Sequence, residues 1–292
     1  MSRFDYGIAC ALEDVPDQWP IALRGDIEEI CLKAKRYGYK AIELQLCNPD
    51  RYDWNNLKSV ANQMGLYFSA DATGREIIEN RFSLISDDAG LRKAAIDRLK
   101  VHIDMCASLD CILIEGSMRS NIPSDDKLNL CLERLDEATY ELSDYAKEKG
   151  VLIVIENITS HISNYLCSIF QVADYVEKID RDNVGIHMDT YSMLYEDNDI
   201  MNAVRYCGNK LWYMHYSDSN RMYPGGGNVD FKKYYEALIQ CKYNRVITIE
   251  SRPYPTPDLC AEYGIKYLKA LETVVEIENL SKTRDIMHHS ES

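Results

Sequence analysis

Eight short apolar runs, separated by stretches of helical period, constrain this sequence more than any other feature. They are YGIACAL (6–12), AIELQL (41–46), LYFSAD (66–71), CILIEG (111–116), VLIVIE (151–156), VGIHMD (184–189), LWYMHY (211–216) and RVITIE (245–250). Several are apolar almost throughout, as parallel strands buried on both faces must be. The stretches between them carry helical spacing. IEEICLKAKRYG (27–38) puts Ile27, Ile30, Cys31 and Ala34 on one face and meets a stop at Gly38. AAIDRLKVHIDMCASL and LNLCLERLDEATYELSDYAKEKG are longer examples, the second closing on Gly150. Eight βα units with no break in composition predict a single (β/α)8 barrel, a TIM barrel, over residues 1–280. A doubly wound open sheet is the alternative. The segment from Ser281, SKTRDIMHHSES, reads as a frayed tail, 281–292, without chemistry.

A chain of 292 residues often makes two domains, but barrels of this size fold as one. The net charge of −14 and pI of about 4.9 repel a phosphate backbone, and no Lys/Arg block interrupts that field, so nucleic acid is not an expected partner. Ten cysteines form no CxxC pair and mostly sit inside apolar runs, which reads as reduced core thiols in a cytoplasmic protein. The first residues, MSRFDYGIACALED, are too polar for a signal peptide, and no apolar stretch approaches the ~20 residues of a membrane span. Tyrosines outnumber phenylalanines 21 to 5, which suits half-buried surfaces and polar pocket walls.

In a barrel of this kind the active site forms at the C-terminal ends of the strands. The last four runs end in, or just after, Glu156, Asp189, His215 and Glu250, spaced by 33, 26 and 35 residues. One acidic residue at a strand end is ordinarily a helix cap or a solvated charge. Three carboxylates and one imidazole at matching positions of successive strands would converge, and the carboxylates would repel in a water-poor pocket. A divalent cation resolves that conflict. The oxygen-rich set with one imidazole suits Mn2+ first, with Mg2+, Co2+ and Zn2+ as alternatives. Other strand ends supply Glu43, Gln45, Asp71 and Glu115. Of these, Glu115 is a substrate-binding candidate. His187, two residues before Asp189, points the same way by period-two alternation. It is either a lower-layer structural residue or a substrate-side one. Pro224-Gly225-Gly226-Gly227 could cradle phosphate, or could be a plain loop.

These residues carry a resemblance. ENI after the fifth run, MDTY after the sixth, HYSDSNR with PGGGNVDF after the seventh, and IESRPYP after the eighth are similar to the sugar isomerase/epimerase superfamily of xylose-isomerase-like barrels. The SDSNR…PGGG…DF stretch most resembles ketose 3-epimerases of the tagatose/psicose type. LISDD and RKAAIDRLKVHID in the first half fit it as well, and the likeness spans about residues 4 to 275. The resemblance implies that Glu156, Asp189, His215 and Glu250 bind one divalent ion, that Glu156 and Glu250 are the catalytic acid/base pair, and that Arg221 contacts substrate. Two positions depart from the pattern. Ile162 stands where those epimerases carry a glutamate, and Ser192 where they carry a histidine; His161 lies beside the first gap.

The expected function is therefore a divalent-metal-dependent epimerase or isomerase of a ketose or ketose phosphate, working by carboxylate-mediated proton transfer through an enediolate. An inosose dehydratase or a hydroxy-keto-acid isomerase would use the same site. From another class come an apurinic-type DNA-repair endonuclease, which wants more histidine and a basic groove, and a non-catalytic sugar-binding relative. The partner is a small sugar or sugar phosphate, with no membrane and no nucleic acid. Homo-oligomerisation is left open.

Overall fold

Every expected apolar run forms a strand of one parallel sheet, and that sheet closes. The computed structural model describes the backbone of residues 2–290 and the side chains of residues 2–278. Within them the strands are β1 (Tyr6–Ala11), β2 (Leu23–Arg24), β3 (Ala41–Leu44), β4 (Tyr67–Ala72), β5 (Ile112–Glu115), β6 (Ile153–Glu156), β7 (Val184–Asp189), β8 (Leu211–Tyr216) and β9 (Ile247–Ile249). Neighbours pair in parallel from β1 through β3 to β9, and β9 pairs back onto β1. The ring therefore has eight strands and is a (β/α)8 barrel, not an open sheet. The two-residue β2 is an addition that pairs with β1 outside the ring and was not visible in the pattern.

The near-continuous hydrophobicity of the strands follows from burial on both faces. All six residues of β7 and all six of β8 are buried. Alternate residues divide between two cores. Ile153 and Ile155, Ile186 and Met188, and Met214 and Tyr216 face the helices. Ala41, Ala70, Ile114, Val154, Tyr213 and Val246 fill the barrel's interior. Register shifts at Ile42/Glu43 and Ile186/His187 adjust which residues look inward.

The helices start and stop where local chemistry dictates. Asp26 caps Ile27–Tyr37 by accepting from the Glu29 amide, and Gly38 ends it at φ 93°. Ser168 and Gln171 form a capping box on Ile169–Ile179. The last helix runs Pro257–Ser290, so its backbone continues through the point where a tail was expected; residues 265–290 hold no Gly or Pro to stop it. The side chains of that tail lie outside the described residues. All ten cysteines are free, and nine are buried. Among the described residues no helix is long and apolar enough to cross a membrane.

Candidate functional site

Strand parity and strand ends deliver one polar cluster to the C-terminal mouth. Glu156 ends β6, Asp189 ends β7, His215 lies on β8 and Glu250 follows β9 directly. All four line a single pocket of about 260 Å³, together with Arg221 from the loop after β8.

His215 is the hinge of the cluster. Its Nε2 lies 2.6 Å from Glu43 Oε2, while its Nδ1 has no hydrogen-bond partner and stands 3.5 Å from Glu250 Oε2. Gln45 Nε2 donates to both Glu43 Oε1 (3.0 Å) and Glu250 Oε1 (2.9 Å), tying the two carboxylates into one frame. Ligand atoms of Glu43, His215 and Glu250 lie within 4.8 Å of one another, and so do those of Glu156, His187 and His215. Asp189 belongs to neither group. Arg221 Nη1 donates to its two oxygens at 2.9 and 2.6 Å, and Arg221 Nη2 pairs with Glu250. The guanidinium thus bridges two of the four expected ligands. Arg221 holds this position at φ 60°, the left-handed region, and stacks over the Tyr191 ring at 4.8 Å. Asp189 also accepts from the Tyr191 amide at 2.7 Å, so the ordinary helix-cap role and the site role coexist in one carboxylate.

The two candidate acid/base groups sit in opposite electrostatic states. Burial, with Glu250 adding to it, pushes the Glu156 carboxyl up to about 8. Burial pushes Glu250 the same way, but Arg221 and His215 more than offset it and hold it at about 2. The surroundings thus push the two carboxyls apart, the separation an acid/base pair uses. Gly116 makes room for this: a Cβ there would come within 2.4 Å of Glu156 Oε2.

Two of the expected substrate-side residues are elsewhere. Glu115 does not line the pocket. Parity on β5 turns Ile114 inward and Glu115 outward, where both its carboxylate oxygens are buried without a partner and burial raises it to about 7, with Arg119 pulling the other way. His187 does face inward but lies beneath the pocket, edge-on to His215 at 4.1 Å and to Tyr213 at 5.4 Å. Neither ring nitrogen has a partner, and burial, with His215 beside it, drives its pKa well down, so it is neutral. Glu43 and Gln45 had no role assigned from sequence. Their signal was two polar residues two apart at a strand end, which marks one inward face.

The glycine turn satisfies itself. Gly225 and Val229 amides donate to Asp218, Gly226 to Tyr223 O and Asn228 to Ser219 Oγ. With these donors engaged, the turn is a packed loop around a buried aspartate. Ile162 and Ser192 both line the pocket, and Ser192 Oγ accepts from the Thr159 amide. His161 instead stands edge-on to Tyr195 at 4.8 Å.

Comparison with known proteins agrees with this architecture. The chain is 28% identical over 239 residues to a ketose 3-epimerase of Arthrobacter globiformis, covering 80% of this chain and 81% of that one. It is 28% identical over 223 residues to an L-ribulose 3-epimerase of Methylomonas sp. (strain DH-1), covering 75% and 76%. A crystal structure of D-allulose 3-epimerase from Methylomonas sp. in complex with D-allulose superposes with a TM-score of 0.77 at 23% identity, covering 92% of this chain and 98% of the other, a likeness of fold. Residues 31–271 match the family model described as xylose isomerase-like TIM barrel, and with the closed eight-stranded ring this places the chain in that family.

Proposed function

We propose that this protein is a divalent-metal-dependent epimerase of a small ketose, acting at the carbon beside the carbonyl. The observation that carries this reading is the convergence of Glu156, Asp189, His215 and Glu250 on one small pocket, with Glu43 and Gln45 fixing His215 and Glu250 from behind. The ketose 3-epimerases among its relatives support the same class.

The residues fit a metal. His215 Nδ1 is buried and unpartnered while Glu43 fixes the opposite nitrogen, the arrangement of a ligating imidazole oriented by a carboxylate. Glu156, Asp189, His215 and Glu250 would hold the ion, with Mn2+ the expected species. A bound divalent ion supplies positive charge beside the substrate's carbonyl and adjacent hydroxyl. Arg221 now neutralises Asp189 and Glu250; with that charge met otherwise, its guanidinium is free to hydrogen-bond the substrate. One of the two glutamates, Glu250 or Glu156, then takes the proton from carbon, and the other returns one on the opposite face. In the reverse direction the two exchange roles. The engaged amides of the glycine turn favour an unphosphorylated sugar.

A DNA-repair role is disfavoured by the −14 charge, and the six histidines of the chain include two at 288 and 289. The test is a panel of ketoses incubated in deuterated water with Mn2+. Deuterium uptake beside the carbonyl with formation of the epimer, both lost on chelation and restored by metal, is the expected result. Full turnover in metal-free protein, or uptake with no ketose, would refute the reading.

A further inference from the structure

The pocket does not end at the polar cluster. Its wall of Trp19, Gly74, Ser117, Ile158 and Ile162 is shared with a second cavity of about 280 Å³, so the two spaces adjoin. The loops after β1, β4, β5 and β6 build this annex. Its far side is Ile77 and Ile78 on the single turn Glu76–Glu79.

The annex is apolar by construction. Three of its polar residues turn side-chain donors to the backbone, although Arg119 Nε has no partner. Arg119 donates to Gly116 O and Leu166 O, Asn121 to Ile162 O, and Ser163 to Tyr165 O. Ile162 is fixed in a turn by the hydrogen bond its backbone N–H donates to Thr159 O. Yet Ile78 and Ile162 are 64% and 59% exposed, two large side chains lining one cavity. A bare sugar does not belong there, because burying hydroxyls against isoleucine without partners is costly. An apolar group covalently joined to a sugar seated in the polar pocket does.

We propose that the annex is a specificity subsite for an alkyl or aryl substituent of the substrate, so that this protein acts on a ketose conjugate, an ether that leaves the carbonyl free, rather than on a bare monosaccharide. This rests on the ketose reading given above. The polar pocket selects the polyhydroxy ketone and the annex selects what is attached to it. Ile162 is the divider, lining both.

The experiment measures binding by calorimetry on the full chain with Mn2+, using D-fructose and its 1-O-methyl, 1-O-benzyl, 6-O-methyl and 6-O-benzyl ethers. One benzyl ether should bind roughly tenfold or more tighter than its methyl counterpart, as burial of an aromatic ring predicts. Ile162→Glu and Ile78→Asp should each remove that preference; both positions are more than half exposed, so neither change disturbs the core. Deuterium exchange is followed in parallel. If ketoses exchange while benzyl and methyl ethers bind alike, the subsite is overturned and the epimerase reading stands. If a benzyl preference is present but no ketose or ketose ether exchanges, the annex stands as an apolar binding site, while the epimerase reading and turnover of a conjugate both fall. Preference that survives both substitutions overturns the subsite. So does self-association abolished by Ile78→Asp without any benzyl preference, which would assign the face to a second copy of the chain.

Discussion

Two buried clusters in this barrel contain the same chemical groups and behave differently. At the mouth, Glu43, Glu156 and Glu250 surround His215, with Asp189 lining the same pocket and His187 beneath. Outside the ring, Asp71 of β4 and Glu76 enclose His102 of helix Ala89–Leu109, all three fully buried. In the second cluster both imidazole nitrogens are occupied, by Asp71 at 2.5 Å and Glu76 at 3.0 Å. Burial alone would lower His102, but the two carboxylates more than offset it and raise it to about 9, so the cluster is an ion triplet that clamps a helix to the sheet. At the mouth the imidazoles are incomplete: His215 has one free nitrogen and His187 two. Burial and residue type do not separate structure from function here. Unspent bonding capacity facing a cavity does.

The sharpest way to break this comparison is to neutralise one residue of each cluster. Glu156→Gln and Glu250→Gln should each lower epimer formation by about 10²–10⁴-fold, because an amide still offers an oxygen but cannot carry the proton. Each single variant should retain some exchange of the carbon-bound proton from one face. Near-normal turnover in Glu250→Gln would replace the two-carboxylate scheme with another.

His102→Leu should leave the chemistry alone and cost stability. It strands two carboxylates in the core, which is worth about 3–5 kcal/mol for a broken buried pair. Urea melts at pH 6.5 measure it. If turnover per folded molecule fell with stability intact, the triplet would belong to the site.

The same variant sharpens the contrast through pH. His102 is raised from 6.5 to about 9, so its contribution is fully present below pH 6.5 and lost as pH rises through 9. The stability gap between the wild-type protein and His102→Leu should therefore narrow by about 2–3 kcal/mol between pH 6.5 and 9.5, as the shift implies. A gap constant over that range would mean that His102 is neutral in the fold.

The smallest effect is expected at His161. It packs against Tyr195 rather than entering the pocket, so His161→Ala should change stability by no more than about 0.5 kcal/mol. It should also leave exchange unchanged. A large loss of exchange would show that it fills the place of the glutamate absent at Ile162.

The chain's pattern alone determined the barrel. Strands buried on both faces must be apolar throughout, and eight such runs alternating with helices leave few other solutions. It also marked Glu156, Asp189, His215 and Glu250, because strand ends in this architecture meet at one mouth. What it could not determine was parity. Glu115 and Glu156 end similar runs, ILIE and IVIE, yet one faces the helices and the other the pocket. Which residue looks inward depends on the stagger between neighbouring strands and on shifts such as that at Ile186/His187, and a one-residue slip exchanges the two faces. Arg221 bridging Asp189 and Glu250, Glu43 holding His215, and the annex beside Ile162 likewise join residues far apart in sequence. Only closure of the ring brings them within bonding distance.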